Sequence, residues 1–412
     1  MLFRSRITRP DGNQDLTKFS FTMPPGLLGR PAGVARCSEA QIAAARAKSG
    51  RAEQASPSCP ANSQIGTTLA GAGVGSELTY VPGRLYLAGP FQGKPLSVAA
   101  IVPAVAGPFD VGTVVVRVGV GLDPKTAQLE VDGSSSEPIP HILAGIPLRV
   151  RDVRVLTDRE HFTLNPTNCD PFATHAGIWG GGGNPFSTLD DSPVARQARF
   201  QAANCAALGF RPRLSLTLKG GTRRGSHPAL RAVVRPREGD ANFAEAVVTL
   251  PRSAFLDQAH IRTICTRVQF AARACPKGSI YGKARAFSPL LDEPAEGPVY
   301  LRSSSHNLPD LVVALKGPPS AEVEVELVGR IDSRHGGIRA SFEGIPDVPV
   351  SRFQMDMQGG KKGLIVNSRN LCARTSRADA QLTGQNGLLY SSAPAVGAAG
   401  CGGKKASRGH RR

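Results

Sequence analysis

Hydrophobic residues in this chain come in short, mostly alternating runs. The segments FSFTMP, PLSVAAIVP, TVVVRVGVGL, AQLEVDG and PLRVRDVRVL occupy the first half; RLSLTLKG, EAVVTLP, LVVALKG and AEVEVELVGRI occupy the second. They are rich in β-branched residues and bounded by Gly, Pro, Asp or Ser, which predicts the short strands of an all-β fold. In AEVEVEL, Val323, Val325 and Leu327 fall on one face and Glu322, Glu324 and Glu326 on the other, because successive strand side chains point oppositely. Helical signals are confined to two places. After Cys37 comes SEAQIAAARAKSG, where Ser38 and Gln41 have capping-box spacing. After Cys265 comes TRVQFAARA, where Thr266 and Gln269 stand in the same relation. The expected fold is therefore mainly β. It is read as tandem β-sandwich repeats, immunoglobulin-like or jelly-roll-like, each with one short helix in a Cys–helix–Cys-Pro element.

The repeat rests on more than the helices. CPANSQIG (59–66) and CPKGSIYG (275–282) both read C-P-x-x-S-x-x-G. Further matches keep the same order: Pro24 with Pro251, and Cys37 with Cys265. Gly83, Tyr86 and Leu87 match Gly297, Tyr300 and Leu301. The GIP at 145–147 matches that at 344–346, Asn165 and Cys169 match Asn367 and Cys372, and Cys205 matches Cys401. A fixed order over most of the chain argues for duplication. The expected units are 1–204, ending in a Gly-rich connection near 174–200, and 205–401, followed by a basic, disordered tail at 402–412. The second unit runs CAALGFRPRLSLTLKGG from Cys205 before it reaches Pro251. The first unit has no room for an equivalent, so the chain is expected to begin inside a repeat of a longer protein. The opening MLFRSRITRPDG lacks the apolar core of an export signal, and no apolar run is long enough for a transmembrane helix.

Composition sharpens the class. With 46 glycines and 33 prolines in 412 residues, turn formers stand well above their ordinary combined share of about 12%. Aromatic residues make up only 5%, and Trp179 is the one tryptophan. The formal charge of +18 suits a polyanion such as nucleic acid, anionic lipid or acidic cell-wall polymer; an Arg-rich soluble protein is the plainer reading.

The eight cysteines pair most simply in chain order: Cys37 with Cys59, Cys169 with Cys205, Cys265 with Cys275, and Cys372 with Cys401. Each bond then has a counterpart in the other unit. Sequence alone leaves the connectivity open. Disulfides imply an oxidising compartment. The spacings lack the close pairs of structural zinc sites, so no metal or other cofactor is assigned.

Catalytic motifs are not found. No two histidines form HxH, HExxH or Hx₃₋₅H, and no G-x-S-x-G elbow marks a nucleophile; a triad gathered from distant residues stays open. Asp11, Asn13 and Asp15 have calcium-loop spacing but lack the closing Glu and are read as a turn. The stripe Glu322, Glu324, Glu326 is read as a solvated strand face rather than a cation or acid–base site. Trp179, in GIWGGGGNPF, is a possible ligand contact for a sugar ring, although packing against the fold is the simpler reading. Lys404, Lys405, Arg408, Arg411 and Arg412 of the tail are candidate polyanion contacts.

The ordered set MPPGLLGRPAGVARCSEAQI, CPANSQIG, NCAALGFRPRLSL, LPDLVVALKG, GIPDVPVSRFQM and LTGQNG, followed by Cys401 and the basic tail, resembles large, repeat-built, presumed exported proteins of high-GC actinobacteria. The resemblance covers nearly the whole chain. It implies extracellular, cysteine-bridged β-rich repeats and carries over no catalytic residue. The function expected is a non-enzymatic extracellular or cell-surface structural or adhesive protein that contacts cell-wall polymer or glycan. The alternatives are a secreted carbohydrate-binding module or carbohydrate-active enzyme, and a basic nucleic-acid binder. Few stackable aromatics and paired cysteines argue against nucleic acid.

Overall fold

The computed structural model describes residues 3–181, 192–334 and 336–401. The fold is mainly β, built on one ten-stranded and one thirteen-stranded sheet. The first sheet runs, in spatial order, Phe3–Thr8, Val150–Thr157, Gln64–Ala72, Thr79–Ala88, Leu96–Ala106, Phe109–Leu122, Leu129–Ser136, Asp15–Thr22, Phe172–Gly181 and Val194–Phe200. The second contains, in succession, Ala229–Arg235, Arg352–Met357, Ile280–Phe287, Ala295–Arg302, Asp310–Lys316, Glu324–Arg334, Gly337–Phe342, Phe243–Thr249, Asp379–Gly384 and Leu389–Ser392. Under the alignment of the two halves by their cysteines and C-P-x-x-S-x-x-G motifs, these two lists correspond strand for strand. The second sheet carries Arg213–Lys219, Ala395–Ala398 and Ser376–Arg377 beyond Ala229–Arg235.

The mainly β fold expected from the sequence takes the form of large curled sheets. Each half is one continuous hydrogen-bonded sheet that curls until its own strands face one another. Inward side chains from strands far apart in the first sheet, among them Phe3, Phe21, Val98 and Val155, border one interior space. Alternation along a strand says that one face is covered; it does not say whether a second sheet or the same sheet provides the cover.

The C-P-x-x-S-x-x-G motif now has a physical account. Its Cys closes a disulfide, Cys37–Cys59 or Cys265–Cys275. Its Pro opens a turn of 3₁₀-helix, where φ near −65° is already set. Its Ser is wholly buried and donates back to that Pro carbonyl, Ser63 to Pro60 at 2.6 Å and Ser279 to Pro276 at 2.7 Å. Its Gly sits where the strand register slips, between Gln64 and Gly66 and between Ile280 and Gly282. A Cβ on Gly66 would lie 2.1 Å from the Leu156 carbonyl oxygen, and one on Gly282 would lie 2.7 Å from that of Asp356.

The disulfide-bounded helices lie on the outer face. Both capping boxes form, Ser38 with Gln41 ahead of Glu39–Ala47 and Thr266 with Gln269 ahead of Arg267–Ala271. Cys37 donates its N–H to Leu87 O, and Cys265 to Leu301 O, each at 2.8 Å. Ile42 and Ala45 of the first helix form a buried cluster with Tyr86, Ala99, Ile101 and Val115 of the sheet. Arg117, 3% exposed, reaches from Phe109–Leu122 to Glu39 at 2.6 Å and so ties the helix start to the sheet. The first half holds a second helix where one was expected, Gly50–Ala55 capped by Ser49. Gly50 permits close approach. Its N–H donates to Asp110 Oδ1 at 2.7 Å, and a Cβ would meet Val105 at 2.6 Å.

The Gly-rich connection near 174–200 also needs correction. Phe172–Gly181 is a strand between Asp15–Thr22 and Val194–Phe200. Ladder pairing on both sides outweighs the weak strand preference of glycine. Residues 182–191 lie outside the described residues. Four disulfides form: Cys37–Cys59, Cys169–Cys205, Cys265–Cys275 and Cys372–Cys401. Among the described residues no helix is long and apolar enough to cross a membrane.

Gly66→Ala is expected to lower stability by about 2 kcal/mol or more, because a backbone carbonyl must move. Gly89→Ala, which meets open space, is expected to stay within about 0.5 kcal/mol of the parent. Urea midpoints of the two variants check this.

Candidate apolar binding cavity

The inner faces of both sheets border one continuous cavity of about 620 Å³. That is within the roughly 300–1,000 Å³ of ordinary small-molecule sites. Its wall is read off the strands two residues at a time. Val98, Ala100, Val102 and Ala104 come from Leu96–Ala106, and Val114, Val116, Val118 and Val120 from its neighbour Phe109–Leu122. In the second half Leu230, Ala232 and Val234 alternate in the same way, as do Phe353, Met355 and Met357. Val323, Val325 and Leu327 line the wall too, so the face assigned to them from alternation is the lumen. The few polar lining groups include Ser5, Thr68, Ser288 and Gln358.

Burial along one strand is inverted relative to an ordinary amphipathic strand. The outward Ala99 and Ile101 are 0% and 2% exposed, beneath the helical element, whereas the lumen-facing Val98, Ala100 and Val102 are only half-buried. Apolar surface is therefore left uncovered inside the molecule. Other lumen-facing side chains are buried in both halves, Ile65, Leu85 and Leu87 in the first and Leu216, Leu311 and Leu315 in the second.

The junction of the halves is sealed by polar contacts. Asp347, 4% exposed, accepts from Thr167 N and Oγ1 (both 2.7 Å), Asn168 N (3.1 Å) and Asn242 Nδ2 (2.7 Å). A Cβ on Gly26 would lie 2.7 Å from this carboxylate. Backbone bonds from Ala32 to Leu290 O (3.1 Å) and from Glu326 to Pro124 O (2.7 Å) add to the seam.

Outside the cavity, several expected residues take structural roles. Glu322 pairs with Lys316 and Glu324 with Arg273 on the outer face. Asp11 accepts from Gly75 N and Asp15 pairs with Arg9, so the DGNQD stretch is a hydrogen-bonded turn. Trp179 is half-buried with its ring packed over Gly133, where a Cβ would meet it at 2.7 Å. Lys404, Lys405, Arg408, Arg411 and Arg412 lie outside the described residues.

Two side-chain clusters were not legible as motifs. Ser304, His306 and Asp310 meet within one loop, with Ser304 Oγ 2.9 Å from His306 Nδ1 and His306 Nε2 3.1 Å from Asp310 Oδ1. This is not a nucleophilic triad. Ser304 Oγ donates to Leu308 O at 2.6 Å, and His306 Nδ1 faces the same carbonyl at 2.7 Å. Both ring nitrogens already face oxygen atoms of the same segment, so the cluster ties that segment to the start of the strand Asp310–Lys316. The second cluster brings together His227, Asp257 and His260, whose ligand atoms lie within 4.8 Å of one another. The hydrogen bond with His227 holds the Asp257 carboxyl below its ordinary range.

On the outer wall Asp152, 1% exposed, is held by Arg6, Arg154 (2.7 Å) and the Tyr80 hydroxyl (2.9 Å). Burial alone would raise its carboxyl, but these hydrogen bonds outweigh burial and hold it far below the carboxylate range. The group joins three strands of the wall: Phe3–Thr8, Val150–Thr157 and Thr79–Ala88.

Compared with known proteins, the chain matches no family model, and no curated protein matches it.

A carboxyl depressed by folding adds stability above its unfolded value near pH 3.9, and that stability is lost as pH falls. Asp152→Asn is therefore expected to cost about 2 kcal/mol at pH 7. It should also flatten the loss of stability below about pH 4. Urea melts at pH 7 and pH 3 check both.

Proposed function

We propose that this protein is a non-enzymatic binder of an apolar ligand, an acyl chain or comparable lipid, held in the cavity that runs through both sheets. The observation that carries the reading is the incompletely buried, lumen-facing row Val98, Ala100 and Val102 beside the fully buried Ala99 and Ile101. Uncovered apolar surface enclosed by a protein favours an apolar occupant, since each buried methylene is worth about 0.8 kcal/mol. Among the described residues the wall is almost wholly apolar, and Ser304 and His306 bond within their own segment.

We infer further that the halves are copies of one unit. The equal strand order and the recurring bulge, capping box and Cys–Pro turn support duplication. Four disulfides support an oxidising, extracellular or cell-surface setting. The resemblance to exported actinobacterial repeat proteins agrees with it. A structural or adhesive role on cell-wall polymer, through the basic tail, fits the same setting. The cavity makes the carrier reading the more specific one.

Fatty acids that displace a fluorescent apolar probe from the purified protein test the proposal. Affinity is expected to rise about fourfold per added methylene. Ala100→Trp, which fills the lumen in the first half, is expected to weaken probe binding at least tenfold with little change in the urea midpoint. Ala232→Trp tests the same lumen in the second half. No probe binding by the parent protein, or parent-like binding by both variants, overturns the carrier reading.

A further inference from the structure

The cluster at His227, Asp257 and His260 stands apart from the strands and is assembled by loops. His227 lies just before the strand Ala229–Arg235, and Asp257 and His260 follow Ala254–Leu256. The imidazoles stack with ring centroids 4.1 Å apart. Between them stands one carboxylate oxygen, Asp257 Oδ2, at 2.7 Å from His227 Nε2 and 3.9 Å from His260 Nε2.

The supports orient these groups. His260 Nδ1 is 2.8 Å from the carbonyl oxygen of Gly363, which makes it the donor and leaves a lone pair on Nε2. That lone pair points toward a carboxylate oxygen too distant for a hydrogen bond. His260 Nε2 and Asp257 Oδ2 thus converge on one point with His227 Nε2, an arrangement that a cation can bridge. A carbonyl that fixes the distal nitrogen is also the usual support of a metal-bound histidine. The glycines permit the packing. A Cβ on Gly363 would lie 2.8 Å from His227 Cβ, and one on Gly359 would lie 2.9 Å from His227 O. Gly360 N donates to that same His227 carbonyl at 2.8 Å. Side chains here are a fifth to a quarter exposed, so an ion can enter from solvent.

We propose that His227, Asp257 and His260 bind a divalent transition-metal ion, with zinc as the first probe. Two imidazoles and one carboxylate suit such an ion, and three protein ligands leave a further position open. The bound ion ties together the loops at one end of the cavity. Leu256, Gln358 and Leu364, which line the cavity, adjoin Asp257, Gly359 and Gly363 in the chain. The assignment does not depend on the cavity's ligand.

The test is zinc binding by the full chain after treatment with a chelator, followed by equilibrium dialysis. One site per chain is expected. His227→Gln, Asp257→Asn and His260→Gln should each weaken it at least tenfold, whereas His410→Gln should leave it unchanged. Absence of micromolar binding by the parent, or parent-like binding by the three variants, overturns the proposal. A readout on the unaltered protein guards against misfolded variants. Zinc should protect His227 and His260, but not the exposed His175, from carbethoxylation mapped by peptide mass spectrometry. Equal modification with and without zinc also overturns it.

Discussion

Everything in this architecture follows from how two faces of one sheet are covered. A sheet strand buried on only one side alternates apolar and polar residues. Here the central strands of the first half are apolar on both sides, and the two sides meet different fates. The outer side is closed by a short helical element between two cysteines. The inner side meets only the far wall of its own curled sheet. Neither helix could hold its place through intrinsic stability. Nine and five residues fall below the length at which isolated helices persist. Capping boxes, a disulfide at each base and the Arg117–Glu39 pair hold them there instead.

An unfilled interior has consequences for the wall. Apolar surface left uncovered forgoes about 25 cal/mol for each Å² that a core would have buried. The sheet must then be held by interactions that run along it. Its register is pinned at the Gly66 and Gly282 bulges, where extra side-chain atoms cannot fit. Its strands are bridged on the outside by groups such as Asp152, and its halves are joined by Asp347. Each of these contacts lies in the wall or at the seam, so none needs the lumen to be filled.

Much of this was legible along the chain. Alternation gave the strands, and Ser38 with Gln41 and Thr266 with Gln269 marked the helix starts. Recurrence of each cysteine in the other half indicated bonds between consecutive cysteines. What stayed hidden depends on tertiary distance. Period-two patterning identifies Val323, Val325 and Leu327 as one face but cannot say whether that face meets a second sheet or an open lumen. His227 and His260 carry no motif spacing, because loops from either side of the Phe243–Thr249 strand bring them together. The glycine-rich run after Trp179 reads by composition as a connection, but ladder pairing carries Gly180 and Gly181 into a strand.

The Cys–helix–Cys-Pro element of each half leaves the lumen wall free to vary. It acts from the outer face, through Tyr86 and the Leu87 carbonyl in one half and Tyr300 and the Leu301 carbonyl in the other. A substitution on the lumen side leaves those contacts intact. The lumen wall of each half accordingly mixes small and large residues, Val98, Ala100, Phe21 and Leu85 in the first and Ala232, Val234, Phe353 and Met355 in the second. Bulk in a curled sheet trades directly against interior volume, so substitutions on that face change the cavity while the outer contacts stay in place.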